Sequence, residues 1–124
     1  MLFENKANLD PKSQNERTPL HIACLRGSVS AAVFLVEKGA NPNCQDMYLY
    51  TPLHYASQYG MAEIIELLLQ HPQIDVNITN NVGLKAHEIA VNIESWEIFE
   101  KYSATDGGGG YGRTVFRDNV RHSD

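Results

Sequence analysis

"TPLHIACLRG" at residues 18–27 and "TPLHYASQYG" at residues 51–60 decide the fold of this 124-residue chain. The two stretches start 33 residues apart and share Thr-Pro-Leu-His, one alanine and a closing glycine. Threonine is favoured at the N-cap of a helix, and proline is favoured at the first helical position, where an N–H would have no partner. Glycine tolerates the positive φ that ends many helices. Each stretch therefore predicts one short helix.

A second, apolar helix is predicted after each stretch, over "SVSAAVFLVEKG" at residues 28–39 and "MAEIIELLLQHP" at residues 61–72. The residues expected to face inward are Leu20, Ile22, Ala23, Val33, Leu35 and Val36 in the first pair of helices, and Leu53, Tyr55, Ala56, Ile64, Ile65, Leu67 and Leu68 in the second. One pair of helices cannot bury such a face alone, so neighbouring pairs must stack. The sequence predicts an all-α solenoid of stacked helix-turn-helix units joined by hairpin loops.

The residues of these motifs and the spacing between them resemble those of a known family. Thr-Pro-Leu-His recurring about every 33 residues is typical of ankyrin repeats. The opening "LFENKANLD" at residues 2–10 aligns with "LVEKGANPN" at residues 35–43 at the same spacing. The chain therefore resembles the ankyrin repeat family over residues 2–102, and this resemblance implies the ankyrin solenoid fold.

The same alignment predicts how the domain is organised. The expected parts are an ankyrin repeat domain over 1–104, made of a partial unit 1–12, repeats at about 13–45 and 46–79, and a cap repeat 80–104. Polar "KAHE" replaces the motif in the last unit, as in a terminal capping repeat, where Trp96, Ile98 and Phe99 are expected to close the core. Because the first unit is partial, we interpret the chain as an excerpt of a longer array.

Several function classes are disfavoured by composition. The net charge is −5, whereas binding to nucleic acid phosphates needs a basic face. The sequence contains no apolar run of about 18 residues, so membrane insertion is not expected. Cys24 and Cys44 lack C-x-x-C spacing, which indicates no disulfide framework and favours a reducing intracellular setting, cytoplasmic or nuclear.

Chemistry-bearing residues do not assemble into a catalytic motif. The sequence shows no nucleophile with a base and an oxyanion donor, and no histidine spacing typical of a metal site. We therefore predict no enzyme activity, no cofactor and no metal. His21 and His54 recur at the repeat spacing, and the resemblance implies that they are structural, bonding each helix start to neighbouring loops.

The resemblance implies that a partner docks on the concave side, at hairpin tips and at the residues before each helix-ending glycine. The predicted peptide-binding residues are Tyr48, Tyr50, Tyr59, Met47, Gln58, Arg26, Leu25, Asp46 and Glu16, with Asp46 and Glu16 as ion-pair partners. The alignment adds Lys12, Gln14, Asn15 and Arg17 in the first unit, Gln45 in the second, and Thr79, Asn81, Val82, Leu84, Asn92 and Ile93 in the third. Tyrosine offers a large contact area at low entropy cost, and methionine adapts its shape. The alternative is that Leu49 packs locally in the hairpin turn and that Tyr50 covers the neighbouring hairpin.

A glycine-rich stretch, 105–110, separates this domain from a tail peptide, 111–124. Consecutive glycines behave as a flexible linker, and we interpret this one as engineered. The candidate ligand residues of the tail are Arg113, Phe116, Arg117, Val120 and Arg121, whose arginines would align on one face of a helix. Arginine and phenylalanine suit an acidic, tyrosine-bearing surface, through ion pairs and cation–π contacts. The tail is therefore predicted to be a fused ligand that docks in cis or on a neighbouring copy.

Another hypothesis stays open beside the peptide-binding module. The repeats could be a scaffold or regulatory segment excised from a larger protein, with the tail a disordered natural or cloning extension. An exposed apolar face at the first unit, with Leu2, Phe3 and Val33 as candidates, would then be expected.

Overall fold

The computed structural model describes residues 10–105; the expectations for residues 1–9 and 106–124, including the tail, lie outside this range. The helices are α1 Pro19–Arg26, α2 Val29–Glu37, α3 Pro52–Gln58, α4 Ala62–Leu69, a 3-10 helix Ala86–Ile89, and α5 Ile93–Thr105. Between residues 10 and 105 there is no β-strand. The predicted all-α repeat architecture is confirmed.

Threonine, proline and histidine set the start of each inner helix. The N–H of His21 donates to the hydroxyl of Thr18 at 3.3 Å, and that of His54 donates to Thr51 at 3.2 Å. Proline follows each threonine at the first helical position. Gly27, with φ 71°, and Gly60, with φ 68°, then turn the chain away from α1 and α3. The motif therefore fixes both ends of these short helices, as predicted.

The helices stack in two layers. α1, α3 and the 3-10 helix pack in sequence as one layer, while α2, α4 and α5 form the other, with α1 on α2 and α3 on α4. The fully buried core side chains include Leu20, Cys24, Ala32, Leu53, Ala56, Ile64, Ile65, Leu68 and Phe99. Burying one leucine or isoleucine side chain contributes about 1.5–3 kcal/mol, so this shared core holds the units together.

Some expected core positions are only half buried. In α2, Ala32 is fully buried, whereas Val33, Leu35 and Val36 are half-buried, as is Ile22 in α1. Within residues 10–105, α2 packs mainly on α1 and on α4. In the last unit Phe99 is buried as expected, but Trp96 and Ile98 are half-buried.

The hairpins between units share one construction. A short polar residue at the start of each hairpin accepts two backbone N–H groups within it. Asp46 Oδ1 accepts from Tyr48 at 2.9 Å and from Tyr50 at 3.0 Å. Ser13 accepts from residues 15 and 17, and Asn80 accepts from residues 82 and 84, in the same pattern. The hairpin tips are therefore held in equivalent shapes by three different side chains.

Backbone hydrogen bonds join one hairpin to the next. The N–H of Met47 donates to Asn15 O at 3.0 Å, and the N–H of Asn81 donates to Tyr48 O at 3.1 Å. The tips therefore lie side by side, and residues at equivalent tip positions form a row along one edge of the stack.

The third unit departs from the Thr-Pro-Leu-His motif at its helix start. The N–H of Lys85 donates to Glu88 Oε1 at 2.7 Å, so Glu88 takes the role that histidine has in the first two units. The helix that follows is only one 3-10 turn. Its exposed surface is less polar than a capping unit is expected to be, because Val82, Val91 and Ile93 are 69%, 60% and 73% exposed. Thr105, predicted to open the linker, is the last residue of α5.

Candidate functional site

A cleft of about 300 Å³ opens on the hairpin side of the stack. Its lining residues are Arg17, Tyr48, Tyr50, Tyr55, Gln58, Tyr59 and Asn81. Four predicted binding residues, Tyr48, Tyr50, Gln58 and Tyr59, are thus brought together in one place. Met47, Arg26, Leu25 and Glu16 do not line this cleft; the first two and Glu16 are exposed and Leu25 is half-buried.

The cleft presents its tyrosines in two ways. Tyr48 and Tyr59 keep 44% and 47% of their surface exposed, so their ring faces are available to a ligand. Tyr50 is half-buried, with its ring 4.8 Å from that of Tyr55 between centroids, and its hydroxyl donates to Gln58 Oε1 at 2.8 Å. Tyr50 therefore packs on Tyr55 of α3 and also lines the cleft.

Arg17 is fixed at the floor of the cleft by two residues. Its Nε donates to Asp46 Oδ2 at 3.4 Å, and its Nη2 donates to the Tyr55 hydroxyl at 3.0 Å. The guanidinium also lies 5.2 Å from the centroid of the Tyr55 ring. The hydrogen bond with Tyr55 raises the pKa of Arg17, so the side chain stays a cation.

Tyr55 links the arginine to the carboxylate beneath it. Its ring is buried, as predicted, and its hydroxyl accepts from Arg17 and donates to Asp46. Burial first, and then the hydrogen bond to Asp46, raise the pKa of Tyr55 to about 12. The phenol therefore remains protonated over the whole physiological range and can keep donating to the carboxylate.

Asp46 is placed differently from its expected role. Only 1% of the residue is exposed, and its oxygens accept from Tyr48, Tyr50, Tyr55 and Arg17. Burial alone would raise the pKa of Asp46, but the hydrogen bonds from Tyr55 and the two backbone N–H groups outweigh it and lower the pKa. A carboxylate already satisfied inside the protein is not offered to a ligand, so this placement disfavours Asp46 as an ion-pair partner.

The repeated histidines tie each unit to the next hairpin. His21 Nε2 lies 2.8 Å from Tyr50 O, and His54 Nε2 lies 2.8 Å from Leu84 O. Since Nδ1 of each ring accepts the N–H of its own threonine, Nε2 carries the proton and donates to the carbonyl. Burial lowers the pKa of both histidines. These contacts are structural, as the resemblance implied, and they position the backbone at the edge of the cleft.

The chemistry of the hairpin side changes from unit to unit. At one equivalent position the three units carry Arg17, Tyr50 and Leu84, and at a second position they carry Arg26, Tyr59 and Ile93. Leu84 is 36% exposed and Ile93 is 73% exposed. The surface therefore runs from basic, through aromatic, to aliphatic along the stack.

Arg17 is the site residue that the sequence reasoning undervalued. The alignment placed it on the binding side, but it was left out of the predicted peptide-binding set, whereas Asp46 was included. One signal was present: Asp46 aligns with Ser13 and Asn80, which are both short polar residues that start a hairpin. A residue type restricted to small hydrogen-bond acceptors indicates a structural role inside the turn.

A second depression, of about 400 Å³, lies at the turns between paired helices and includes Gly27, Gly60, Met61, Glu63 and Glu94 in its lining. Although it is larger, it lacks the converging aromatic and hydrogen-bonding groups of the hairpin-side cleft. Among residues 10–105, no three potential ligands from His, Cys, Asp and Glu are grouped to hold a metal ion. Within the same range, no helix is long and apolar enough to cross a bilayer.

Comparison with known proteins agrees with the repeat pattern. The family model for ankyrin repeats (3 copies) matches residues 1–80. The chain is 38% identical over 90 residues to the human "Transient receptor potential cation channel subfamily A member 1", and 36% identical over 88 residues to human "Rabankyrin-5". It is 39% identical over 83 residues to the "ANK repeat-containing protein nipk-1" of Caenorhabditis elegans. These alignments cover 70%, 69% and 64% of this chain, but only 8%, 7% and 14% of the relatives.

Proposed function

Because this chain belongs to the ankyrin repeat family, we propose that it is a non-catalytic protein–protein interaction module that binds a short peptide containing arginine and phenylalanine. Ankyrin repeats generally mediate protein–protein interaction, and the finer proposal rests on one observation. Tyr48, Tyr50 and Tyr59 converge on a single cleft beside the hairpin tips. The peptide would lie across this concave side.

The chemistry of the cleft supports such a ligand. A phenylalanine ring stacks on tyrosine with a gain of about 0.5–1.5 kcal/mol beyond its area burial, and an arginine over a tyrosine face gains about 0.5–1 kcal/mol at an exposed site. Tyr48 and Tyr59 have the exposure that both contacts require. Tyrosine is also enriched among the few residues that carry most of the energy of an interface.

The tail of the chain is our candidate ligand. Residues 111–124 contain Arg113, Phe116, Arg117, Val120 and Arg121, whereas residues 1–105 hold seven Lys/Arg against twelve Asp/Glu. The arginines of the tail and the net negative charge of residues 1–105 favour association of the two parts. Tethering raises the local concentration to roughly millimolar, so even a weak contact would be occupied, in cis or on a neighbouring copy.

A titration tests this proposal. We would replace residues 111–124 of the full chain with a glycine-serine segment of equal length, called here the GS-tail chain, and titrate it with a synthetic peptide of residues 111–124 by calorimetry. We expect saturable one-to-one binding that Tyr59→Ala weakens by about tenfold, equivalent to about 1.4 kcal/mol. Phe34→Ala is the matched control, because Phe34 is an exposed aromatic residue of α2 outside the cleft. No binding up to millimolar peptide would contradict the proposal.

A second candidate function is a scaffold or regulatory segment within a larger protein. The short share of each relative that this chain covers favours it, because those relatives contain much more than the matched repeats. If the GS-tail chain is correctly folded but does not bind the tail peptide, this alternative is supported. We further propose an intracellular location, since Cys24 and Cys44 are both free thiols.

A further inference from the structure

Arg17 has hydrogen-bonding capacity left over inside the cleft. Its Nε and Nη2 are engaged by Asp46 and Tyr55, but no residue of the described range 10–105 accepts a hydrogen bond from Nη1. A guanidinium carries five donors in a fixed fork, which suits carboxylates. Its position is already fixed by Tyr55 and Asp46, so little conformational entropy would be lost on binding.

The cleft offers a ligand the Arg17 guanidinium, but it offers no carboxylate that is free to accept a hydrogen bond. Asp46 accepts four hydrogen bonds from within the protein, and Glu16, although exposed, is not part of the lining. A ligand arginine would therefore find only aromatic faces here, whereas a ligand carboxylate would find Arg17. The Nη1 group of Arg17, which Asp46 and Tyr55 leave without an acceptor, thus favours an acidic side chain of the ligand.

The tail contains one acidic residue in the right setting. In an extended peptide, side chains alternate between two faces, so Phe116, Asp118 and Val120 share one face and Arg117 lies on the other. Phe116 and Asp118 are then about 7 Å apart along the backbone. Phe116 and Asp118 could therefore face the same cleft, which Arg17, Tyr48 and Tyr59 all line.

We propose that residues 111–124 bind in an extended conformation, with the Asp118 carboxylate on the Arg17 guanidinium and the Phe116 ring between Tyr48 and Tyr59. The arginines of the tail then point away from the cleft. This inference rests on the proposed function, and it replaces helical docking led by arginines with docking led by an aspartate.

Variants of the peptide distinguish docking through Asp118 from docking through the arginines, and they leave the ankyrin domain unchanged. We would titrate three forms of the 111–124 peptide into the GS-tail chain: the unmodified peptide, the Asp118→Asn peptide and the Arg117→Gln peptide. Arg117→Gln is the matched control, because it removes a charge from the neighbouring residue. We expect Asp118→Asn to weaken binding by about tenfold or more, since it removes a charge-assisted hydrogen bond. Arg117→Gln should change the affinity by less than about twofold, as at a solvated charge.

A double-mutant cycle then identifies the partner. Arg17→Lys in the GS-tail chain keeps a positive charge beside Asp46 but removes the planar guanidinium donors. A thermal melting curve of this variant shows whether it is folded. If the inference holds, Asp118→Asn weakens binding to the Arg17→Lys chain much less than binding to the parent. Full affinity of the Asp118→Asn peptide, with a loss for Arg117→Gln, would overturn the inference and leave the proposed function intact. Failure of the unmodified peptide to bind would contradict the proposed function itself.

Discussion

The hydroxyl group of Tyr55 donates a hydrogen bond to the carboxylate of Asp46, which lies nine residues earlier in the chain. This contact joins the core helix α3 to the hairpin that precedes it. The same hydroxyl accepts from Arg17 of the previous unit, so the three side chains fasten two neighbouring units at the cleft floor. Stability and recognition are therefore coupled at this position.

Removing that hydroxyl should be costly. In Tyr55→Phe the ring still fills its place, but Asp46 and Arg17 each lose a hydrogen-bond partner. A hydrogen bond to a charged group contributes about 1.5–3 kcal/mol, so we expect a loss of that order in the free energy of unfolding, measured with urea. Tyr48→Phe is the matched control, because Tyr48 is 44% exposed, and it should leave stability unchanged. An equal loss in both variants would argue against the role of the Tyr55 hydroxyl.

Acid should weaken the fold through the buried histidines. Burial lowers the pKa of His21 and of His54 below its ordinary value of 6.5. The unfolded chain therefore takes up protons at a pH where the folded chain does not, and stability falls as the pH drops below about 6.5 towards the lowered pKa values. Each unit of pKa difference corresponds to about 1.4 kcal/mol.

The measurement is the urea midpoint at several pH values between 7.5 and 5.5. We expect the midpoint to fall through this window and the fall to become shallower in His54→Gln. Repeating the series in His21→Gln, the equivalent position of the first unit, should give the same shallower fall. A midpoint that is constant across the window would show that the buried histidines do not govern acid stability.

A single substitution at the second hairpin tip should stabilise the protein. Leu49 has φ 63° and is 45% exposed, while Gly83 holds the equivalent tip position with φ 85°. A non-glycine residue in this left-handed region costs roughly 1–2 kcal/mol, part of which is offset by the extra freedom of glycine in the unfolded chain. We expect Leu49→Gly to raise the unfolding free energy by about 0.5–1 kcal/mol. Tyr48→Gly, one position earlier, should not raise it, and a loss in Leu49→Gly would mean that the leucine packs on its neighbours.

A structural feature of this chain could be predicted from the sequence when the residues that cause it are close together in the chain. Helix starts follow from residues three apart, so the Thr18 and Thr51 caps could be predicted from the motif alone. The burial of Asp46 depends on a hairpin, on Tyr55 and on the preceding unit together, and single-residue properties favoured a surface role. The cleft tyrosines were found by alignment to repeat positions, whereas the direction of the Arg17 side chain required the packed structure.

Within residues 10–105 four glycines have positive φ, and they differ in what surrounds them, which predicts a ranking of their alanine variants. A Cβ added at Gly83 would meet nothing within 4 Å, so Gly83→Ala should cost only the backbone strain, about 1 kcal/mol. At Gly27 the nearest atom is Met61 Sδ, at 2.8 Å, on a flexible side chain that can move aside. Gly27→Ala should therefore cost slightly more than Gly83→Ala.

Gly60 should be the least tolerant of these positions. Its added Cβ would lie 2.5 Å from Asn92 Nδ2, and Asn92 Oδ1 accepts the N–H of Ser95 at 2.9 Å in the first turn of α5. Relieving the clash moves Asn92 and removes a helix cap worth about 1 kcal/mol, in addition to the backbone strain. We expect Gly60→Ala to lower the unfolding free energy by about 2 kcal/mol or more, measured with urea beside Gly83→Ala. Equal losses at both glycines would mean that backbone strain alone sets the cost and that Asn92 moves freely.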